Sequence, residues 1–469
     1  MSKTFDTINP ATGQKIATYK LFSEDEAFAY VKKASDVFDY KWKRLSVPEK
    51  ASCLKALAKA LRSKKNAYAM LMSKEMGKPI TQSEAEVEKC AWTAELYAEK
   101  AEEWMKAEYS KTDAAKSYVI HQPLGVVLSI MPWNFPFWQA FRFAIPAVLM
   151  GNTSVLRHSN TCPGSALAIE EVFKNASFPE GVFSTIISDH EIVSKLIASD
   201  MIRGVSLTGS VAAGRTIGEQ AGKHLEKFVL ELGGSDPFIV LEDADVQRAA
   251  KVGTDARLIN SGQSCIAAKR FIVVESVAKE FTERFIREFE KKKTGDPMNQ
   301  DTDVGPLVNK EAVVGLDRQV KESVLKGARV EIGGKPGDGP GAYYEPTVLT
   351  NVNPEMPAMR EEVFGPVAPV YVVPDEKHAI RVANDSEYGL GASLWTNDFA
   401  KASQLVEEID SGAVFVNALV KSDARMPFGG VKNSGIGREL SKYGLIEFSN
   451  TKSINLYEIG QEEVIAKVE

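Results

Sequence analysis

The apolar positions of this chain change period along its length, and the changes mark out its elements. Over 23–108 they recur at helical spacing, as in LKALAKALRSKKNAYAMLMSKEMGK, with Gly77-Lys78-Pro79 as a stop signal. The stretch SYVIHQPLGVVLSIMPWNFP then predicts two strands around Pro123-Leu124-Gly125 and a loop, followed by a helix and a short strand in GNTSVLRHS. Strand and helix alternate from there: EGVFSTIIS, the helix IVSKLIASD, the strand RGVSLTG, the helix AAGRTIGEQAGK and the strand KFVLELGG. This is the βαβ rhythm of a parallel, doubly wound sheet. After Gly233-Gly234 the pattern restarts with SDPFIVLEDADV, a helix over 247–261, the strand KRFIVV and the helix AKEFTERFIREFEKK, which predicts a domain boundary there. Glycine and proline crowd 333–344, predicting an exposed loop. The run KSINLYEI reads as a strand that pairs outside its own domain.

Composition narrows the classes. At 469 residues the chain exceeds what one hydrophobic core supports, so several packed units are expected. A 44% hydrophobic and 26% charged content is ordinary globular usage. The net charge of -6, with acids and bases mixed, leaves no basic footprint, so no nucleic-acid partner is expected. The most apolar stretch, 135–156, contains Gln139, Arg142 and two prolines. It predicts buried backbone beside a site and no membrane association. Cys53, Cys90, Cys162 and Cys265 lie far apart without metal-ligand spacing, which predicts reduced thiols, no metal site and a cytoplasmic setting; no secretory signal is expected from MSKTFDTINPATGQ.

Three residues could carry chemistry. Cys265 ends the run Asn260-Ser261-Gly262-Gln263-Ser264, small and polar enough for a substrate to approach a thiolate nucleophile; the alternative is a structural cysteine. Glu231 in LELGGSDPF ends an apolar strand, where burial would raise its pKa and make it a base for water, or where it is a salt-bridged strand end. Asn134 in Pro132-Trp133-Asn134-Phe135-Pro136 is either a rigid amide donor for an oxyanion or a turn residue.

PWNFP, GNTSVL, LTGS, LELGG, NSGQSC and EEVFGPV, in this order, resemble the signatures of the aldehyde dehydrogenase superfamily over nearly the whole chain. The separation of Glu231 from Cys265 is similar to the family's. The resemblance implies an α/β fold: a Rossmann-type cofactor domain (1–111 and 126–232), an α/β catalytic domain with Cys265 (233–420), a small β oligomerisation arm (112–125 and 450–469) and a return segment (421–449). Homodimers or homotetramers are expected. It further implies that Cys265 attacks an aldehyde to give a thiohemiacetal held by the Asn134 amide and the Cys265 N–H. After oxidation, Glu231 would activate water to hydrolyse the thioester. A glutamate at that position favours release of a free acid over transfer to coenzyme A.

For the cofactor, NAD or NADP, no G-x-G-x-x-G follows RGVSLTG; Gly209 and Ser210 open a helix whose N-terminus can still take the pyrophosphate. Gly209-x4-Gly214-Arg215 mimics a P-loop but lacks its lysine. The resemblance assigns Trp133, Glu362 and Phe364 to the cofactor site, with Glu362 on the nicotinamide ribose. Arg157 and Asn160 stand where relatives contact the adenosine ribose. A guanidinium with no neighbouring carboxylate would accept a 2′-phosphate, as NADP requires.

For the substrate, Arg142, Ser422 and Arg425 are either surface residues or, as their surroundings resemble the succinate-semialdehyde dehydrogenase branch, a site for a distal carboxylate. The expected reaction is oxidation of succinate semialdehyde to succinate. D-Glyceraldehyde or lactaldehyde are alternatives, and a thiol esterase without a redox step is an alternative of another class. Trp133, Phe137, Trp138 and Phe428 divide between core and pocket.

Overall fold

A computed structural model describes residues 3–459. The helical run expected over 23–108 is four helices, Glu24–Tyr40, Val47–Ser63, Lys65–Met76 and Ile80–Trp104. The first two open with capping boxes, Ser23 with Glu26 and Ser46 with Glu49, which satisfy otherwise orphaned N–H groups. The stop acts as read: Gly77 takes φ +81° and caps the third helix. An N-terminal hairpin of Thr4–Ile8 and Lys15–Lys20 was not anticipated, because its mostly exposed, polar strands carry little apolar alternation.

The first parallel sheet runs in the order Gly435–Ile436, Lys227–Glu231, Ile202–Thr208, Val126–Met131, Thr153–His158, Phe183–Ile186; only the first strand is antiparallel to its neighbour. The chain enters at Val126–Met131, winds outward through Thr153–His158 to Phe183–Ile186, then returns to the other side of Val126–Met131. The two strands at this reversal are Val126–Met131 and Ile202–Thr208. Loops leaving their carboxyl ends form the crevice in which open α/β sheets bind ligands. Those loops are Pro132-Trp133-Asn134 and Gly209-Ser210. Behind the sheet, Pro136–Met150 is buried along its whole length, as its unbroken apolar run predicts. Phe141, Phe173 and Phe183 stack in sequence at 5.6 and 4.2 Å.

The second sheet has seven strands, in the order Arg329–Ile332, Thr347–Thr350, Val367–Val373, Ala268–Val274, Asp236–Val240, Gly391–Trp395, Ala413–Val416. Cys265 stands just before the amino end of Ala268–Val274, and Gly233-Gly234 just before Asp236–Val240. The amino ends of one sheet therefore meet the carboxyl ends of the other. The segment 333–344 is not wholly a surface loop: Ala342 and Tyr344 are buried in a small apolar cluster. Ser449–Leu456, Lys116–Pro123 and Glu108–Ser110 form a separate three-stranded antiparallel sheet. The expected terminal strand, 452–459, is observed three residues earlier, at Ser449–Leu456, and residues 460–469 lie outside the described residues. No helix among the described residues is long and apolar enough to cross a membrane.

Candidate active site

Cys265 stands where two cavities meet. One, of about 230 Å³, is a tunnel between the helix Ile80–Trp104, the helix Pro136–Met150 and the segment 419–428. The other, also about 230 Å³, is the crevice at the strand reversal, lined by Trp133, Asn134, Gly209, Ser210, Gly233, Glu362 and Phe364. Cys265 and Gln139 border both.

The helix predicted over 247–261 ends at Leu258. Asn260, Ser261 and Gly262 all take positive φ, at 52°, 56° and 77°. Asn and Ser tolerate this region at a cost, so packing must hold them there. The Asn260 N–H donates to Gln82 Oε1 (2.7 Å), its amide donates to the carbonyls of Asn134 (2.7 Å) and Gln263 (3.1 Å), and Ser261 Oγ donates to the Gly305 carbonyl (3.0 Å). A Cβ on Gly262 would lie 2.2 Å from the Gly365 carbonyl oxygen, backbone that cannot swing aside. Gly262→Ala is expected to destabilise the protein by roughly 2–3 kcal/mol, through combined strain and overlap, and to lower activity with it. Denaturant unfolding with a parallel rate assay checks this; an unchanged midpoint would contradict it.

Lys269, buried in the strand that follows, donates to the carbonyls of Ser264 (2.7 Å) and Cys265 (2.6 Å) and pairs with Glu362 at 3.4 Å. It thus ties the thiol's loop to the crevice carboxylate. Sequence reasoning passed over it, although a lysine inside AKRFIVV was a readable signal. Burial pushes the Cys265 thiol up to about 12, against the pull of Lys269 and Arg142. Burial likewise pushes the Glu231 carboxyl well above the usual range, against Arg142. Neither Glu231 oxygen has a hydrogen-bond partner among the described residues. A carboxyl buried without partners is costly and is a poised proton acceptor once ionised.

The Asn134 amide is fixed from both ends: Nδ2 donates to the Gln263 carbonyl (3.1 Å), and Oδ1 accepts from Gln139 Nε2 (2.9 Å). One amide hydrogen has no acceptor among the described residues, since an NH₂ carries two donors.

The crevice suits a nicotinamide dinucleotide. Ser210 caps the 13-residue helix Val211–Lys223, whose first N–H groups face outward for a pyrophosphate. Glu362 Oε1 accepts from the Gly234 N–H at 3.1 Å, and a Cβ at Gly233 would lie 2.5 Å from its other oxygen, so only glycine leaves that carboxylate its place. The rings of Trp133 and Phe364 meet edge to face at 5.9 Å.

Arg157 and Asn160, expected at the adenosine ribose, and Arg142 and Arg425, expected at the substrate, are placed as follows. Arg157 is buried and donates through Nε and Nη2 to the Ser188 carbonyl, both at 3.2 Å, so its guanidinium is engaged by backbone and does not line the crevice. Asn160 is half-buried in the following loop, outside the crevice lining. Arg142 lines the tunnel, but it is ion-paired with Glu439 and donates to Thr208 Oγ1 at 3.3 Å. Arg425 is exposed, donates to Asp423 at 2.6 and 2.9 Å and lies over Trp92, outside the tunnel lining. Ser422 does line the tunnel, with Trp138 and Phe428. Lys89, absent from the sequence reading, lies beside it. A lysine on a helix otherwise reads as a solvated face.

The model of the aldehyde dehydrogenase family matches residues 1–454. The chain belongs to the aldehyde dehydrogenase family. It is 47% identical to a "Probable succinate-semialdehyde dehydrogenase [NADP(+)]" of Synechocystis, over 96% of this chain and 98% of that protein. It is 44% identical to the succinate semialdehyde dehydrogenase [NAD(P)+] of Escherichia coli, over 96% and 97%. Among solved structures, the succinic semialdehyde dehydrogenase of Streptococcus pyogenes in complex with NADP+ superposes with a TM-score of 0.94 at 37% identity, over 97% of this chain and all of that one.

Proposed function

We propose that this aldehyde dehydrogenase oxidises succinate semialdehyde to succinate with NADP, or NAD, as oxidant, and that it acts in the cytoplasm as a homodimer or homotetramer. The observation that carries the reading is Cys265 at the junction of a cofactor-shaped crevice and a tunnel holding basic and hydroxyl groups. Glu362, Trp133, Phe364 and the first turn of Val211–Lys223 would hold the dinucleotide, which when bound supplies the hydride acceptor.

Cys265 loses its thiol proton and adds as the thiolate to the aldehyde carbon, and the new oxyanion is stabilised by the free Asn134 N–H and the Cys265 backbone N–H. Oxidation leaves a thioester. Glu231 then takes a proton from water as its oxygen attacks the acyl carbon, and the C–S bond breaks to release the acid. One aldehyde, one water and one oxidised cofactor give one carboxylic acid, one reduced cofactor and one proton. The cofactor domain of this reading comprises 1–111 and 126–232, the catalytic domain 233–420 and the return segment 421–449. The arm, 112–125 with 450–469, would join subunits; its exposed Tyr457 and Leu456 support that role.

Initial rates of reduced-cofactor formation with succinate semialdehyde, D-glyceraldehyde and lactaldehyde, each with NAD and NADP, test this. Succinate semialdehyde with NADP is expected to give the highest kcat/KM. A preference for either hydroxyaldehyde would keep the thioester chemistry and remove the acidic substrate.

A further inference from the structure

The basic groups considered for the substrate's carboxylate differ in one respect: whether a protein carboxylate already neutralises them. Arg142 has Glu439, and Arg425 has Asp423. Lys89 and Lys421, by contrast, form no ion pair with a carboxylate among the described residues, and Lys421 is exposed whereas Lys89 is not. Lys89 Nζ donates to Ser422 Oγ at 2.8 Å and lies 3.9 Å over the Trp138 ring, which leaves ammonium hydrogens unspent inside the tunnel. An enclosed ammonium is costly unless an anion compensates it.

Ser422 is set for the same anion. Its oxygen accepts from Lys89 and also from Trp138 Nε1 at 2.9 Å. A hydroxyl has two lone pairs and one hydrogen. Both acceptor sites are filled, so its O–H must point elsewhere, and no described residue accepts from it. Two adjacent donors, Lys89 Nζ–H and Ser422 Oγ–H, therefore share with Cys265 a tunnel whose apolar lining includes Phe135, Ile266 and Phe428.

We propose that Lys89 is the cation that binds the distal carboxylate of the substrate, with the Ser422 hydroxyl as its second donor, in place of Arg142 and Arg425. This rests on the acidic-aldehyde reading above. The aldehyde end lies at Cys265 and the anionic end at Lys89, so chain length between the two groups is selected along with charge.

A pH dependence follows. Burial and the nearby Arg142 pull the Lys89 ammonium down to about 8, while Cys90, Glu86 and Asp423 hold it up. Of the other charged groups at the tunnel, Glu86 is paired with Lys78, Asp255 with Lys292 at 2.7 Å, and Lys421 stands at the mouth. Lys89 is charged below about 8 and loses its proton as pH rises through that value, so KM for the acidic aldehyde climbs on the alkaline side.

The test is Lys89→Met, assayed with succinate semialdehyde and with butanal, which has the same carbon chain without the carboxylate. KM for succinate semialdehyde is expected to rise on the order of 30-fold, as befits loss of a charged hydrogen bond. Its alkaline climb should disappear, the preference for succinate semialdehyde over butanal should collapse, and Lys89→Arg should recover part of the affinity. An unchanged KM for succinate semialdehyde in the variant, with wild type still preferring it to butanal, would overturn Lys89 while leaving the substrate reading intact. Equal losses on both aldehydes would overturn the proposal in favour of a structural role. A wild-type enzyme indifferent between the two aldehydes would remove the substrate reading, and this proposal with it.

Discussion

Cys265→Ala is expected to lower kcat/KM for any aldehyde about ten-thousand-fold or more, to the limit of detection, while cofactor affinity stays within a few-fold of wild type. The first half follows from the position of the thiol, the side chain common to the tunnel and the crevice that can form a covalent bond to carbon. Without sulfur there is no thiohemiacetal, and neither Asn134 nor Glu231 can replace it. The second half follows from the crevice contacts: Glu362, Trp133, Phe364 and the helix start at Ser210 are untouched by removing one sulfur. The thiol's raised pKa adds a check on the wild-type enzyme. A thiol that burial raises to about 12 reacts slowly with a thiol-directed alkylating agent near pH 7, and inactivation should quicken as pH rises. Titration of reduced-cofactor fluorescence and single-turnover assays read the two halves separately. Oxidation persisting in the variant at one hundredth of the wild-type rate would place the nucleophile elsewhere.

What could be read in advance divides along physical lines. Strands buried on both faces announce themselves as unbroken apolar runs, and Val126–Met131, Ile202–Thr208 and Ala268–Val274 lie where the runs lie. The order in which those strands pair was not legible, because nothing local in Gly435–Ile436 marks it as a neighbour of Lys227–Glu231. Cys265 and Asn134 stood out by their small or rigid neighbours. The left-handed turn at Asn260 and Ser261 did not, since a partner 178 positions away, Gln82, holds it. Lys89 and Ser422 are separated by 333 positions, and only the folded segment 419–428 turns a helical lysine into a tunnel residue. Arg425, three residues from Ser422, was drawn into the pocket by proximity in sequence. The Asp423 carboxylate instead engages it on the surface.

Glu231→Gln should separate the two halves of the reaction. The amide keeps the size of the side chain at the end of Lys227–Glu231 and removes its capacity to take a proton from water. Addition to the aldehyde and oxidation need only Cys265 and its oxyanion donors, so the variant should release one equivalent of reduced cofactor per site in a burst. It should then stall as the thioester, with steady-state turnover lowered by about 10²- to 10⁴-fold. Because burial raises the carboxyl in the wild-type enzyme, the basic form gains population as pH rises, and the steady-state rate should increase from neutral toward alkaline pH. In the variant that part of the rise disappears. An intact-mass increase equal to the acyl group would identify the stalled species. Loss of the burst along with turnover would instead mean that Glu231 is needed earlier, to take the proton of a thiol that burial holds at about 12. The two groups would then act as one acid–base pair, with Glu231 the proton acceptor for the sulfur before it becomes the proton acceptor for water.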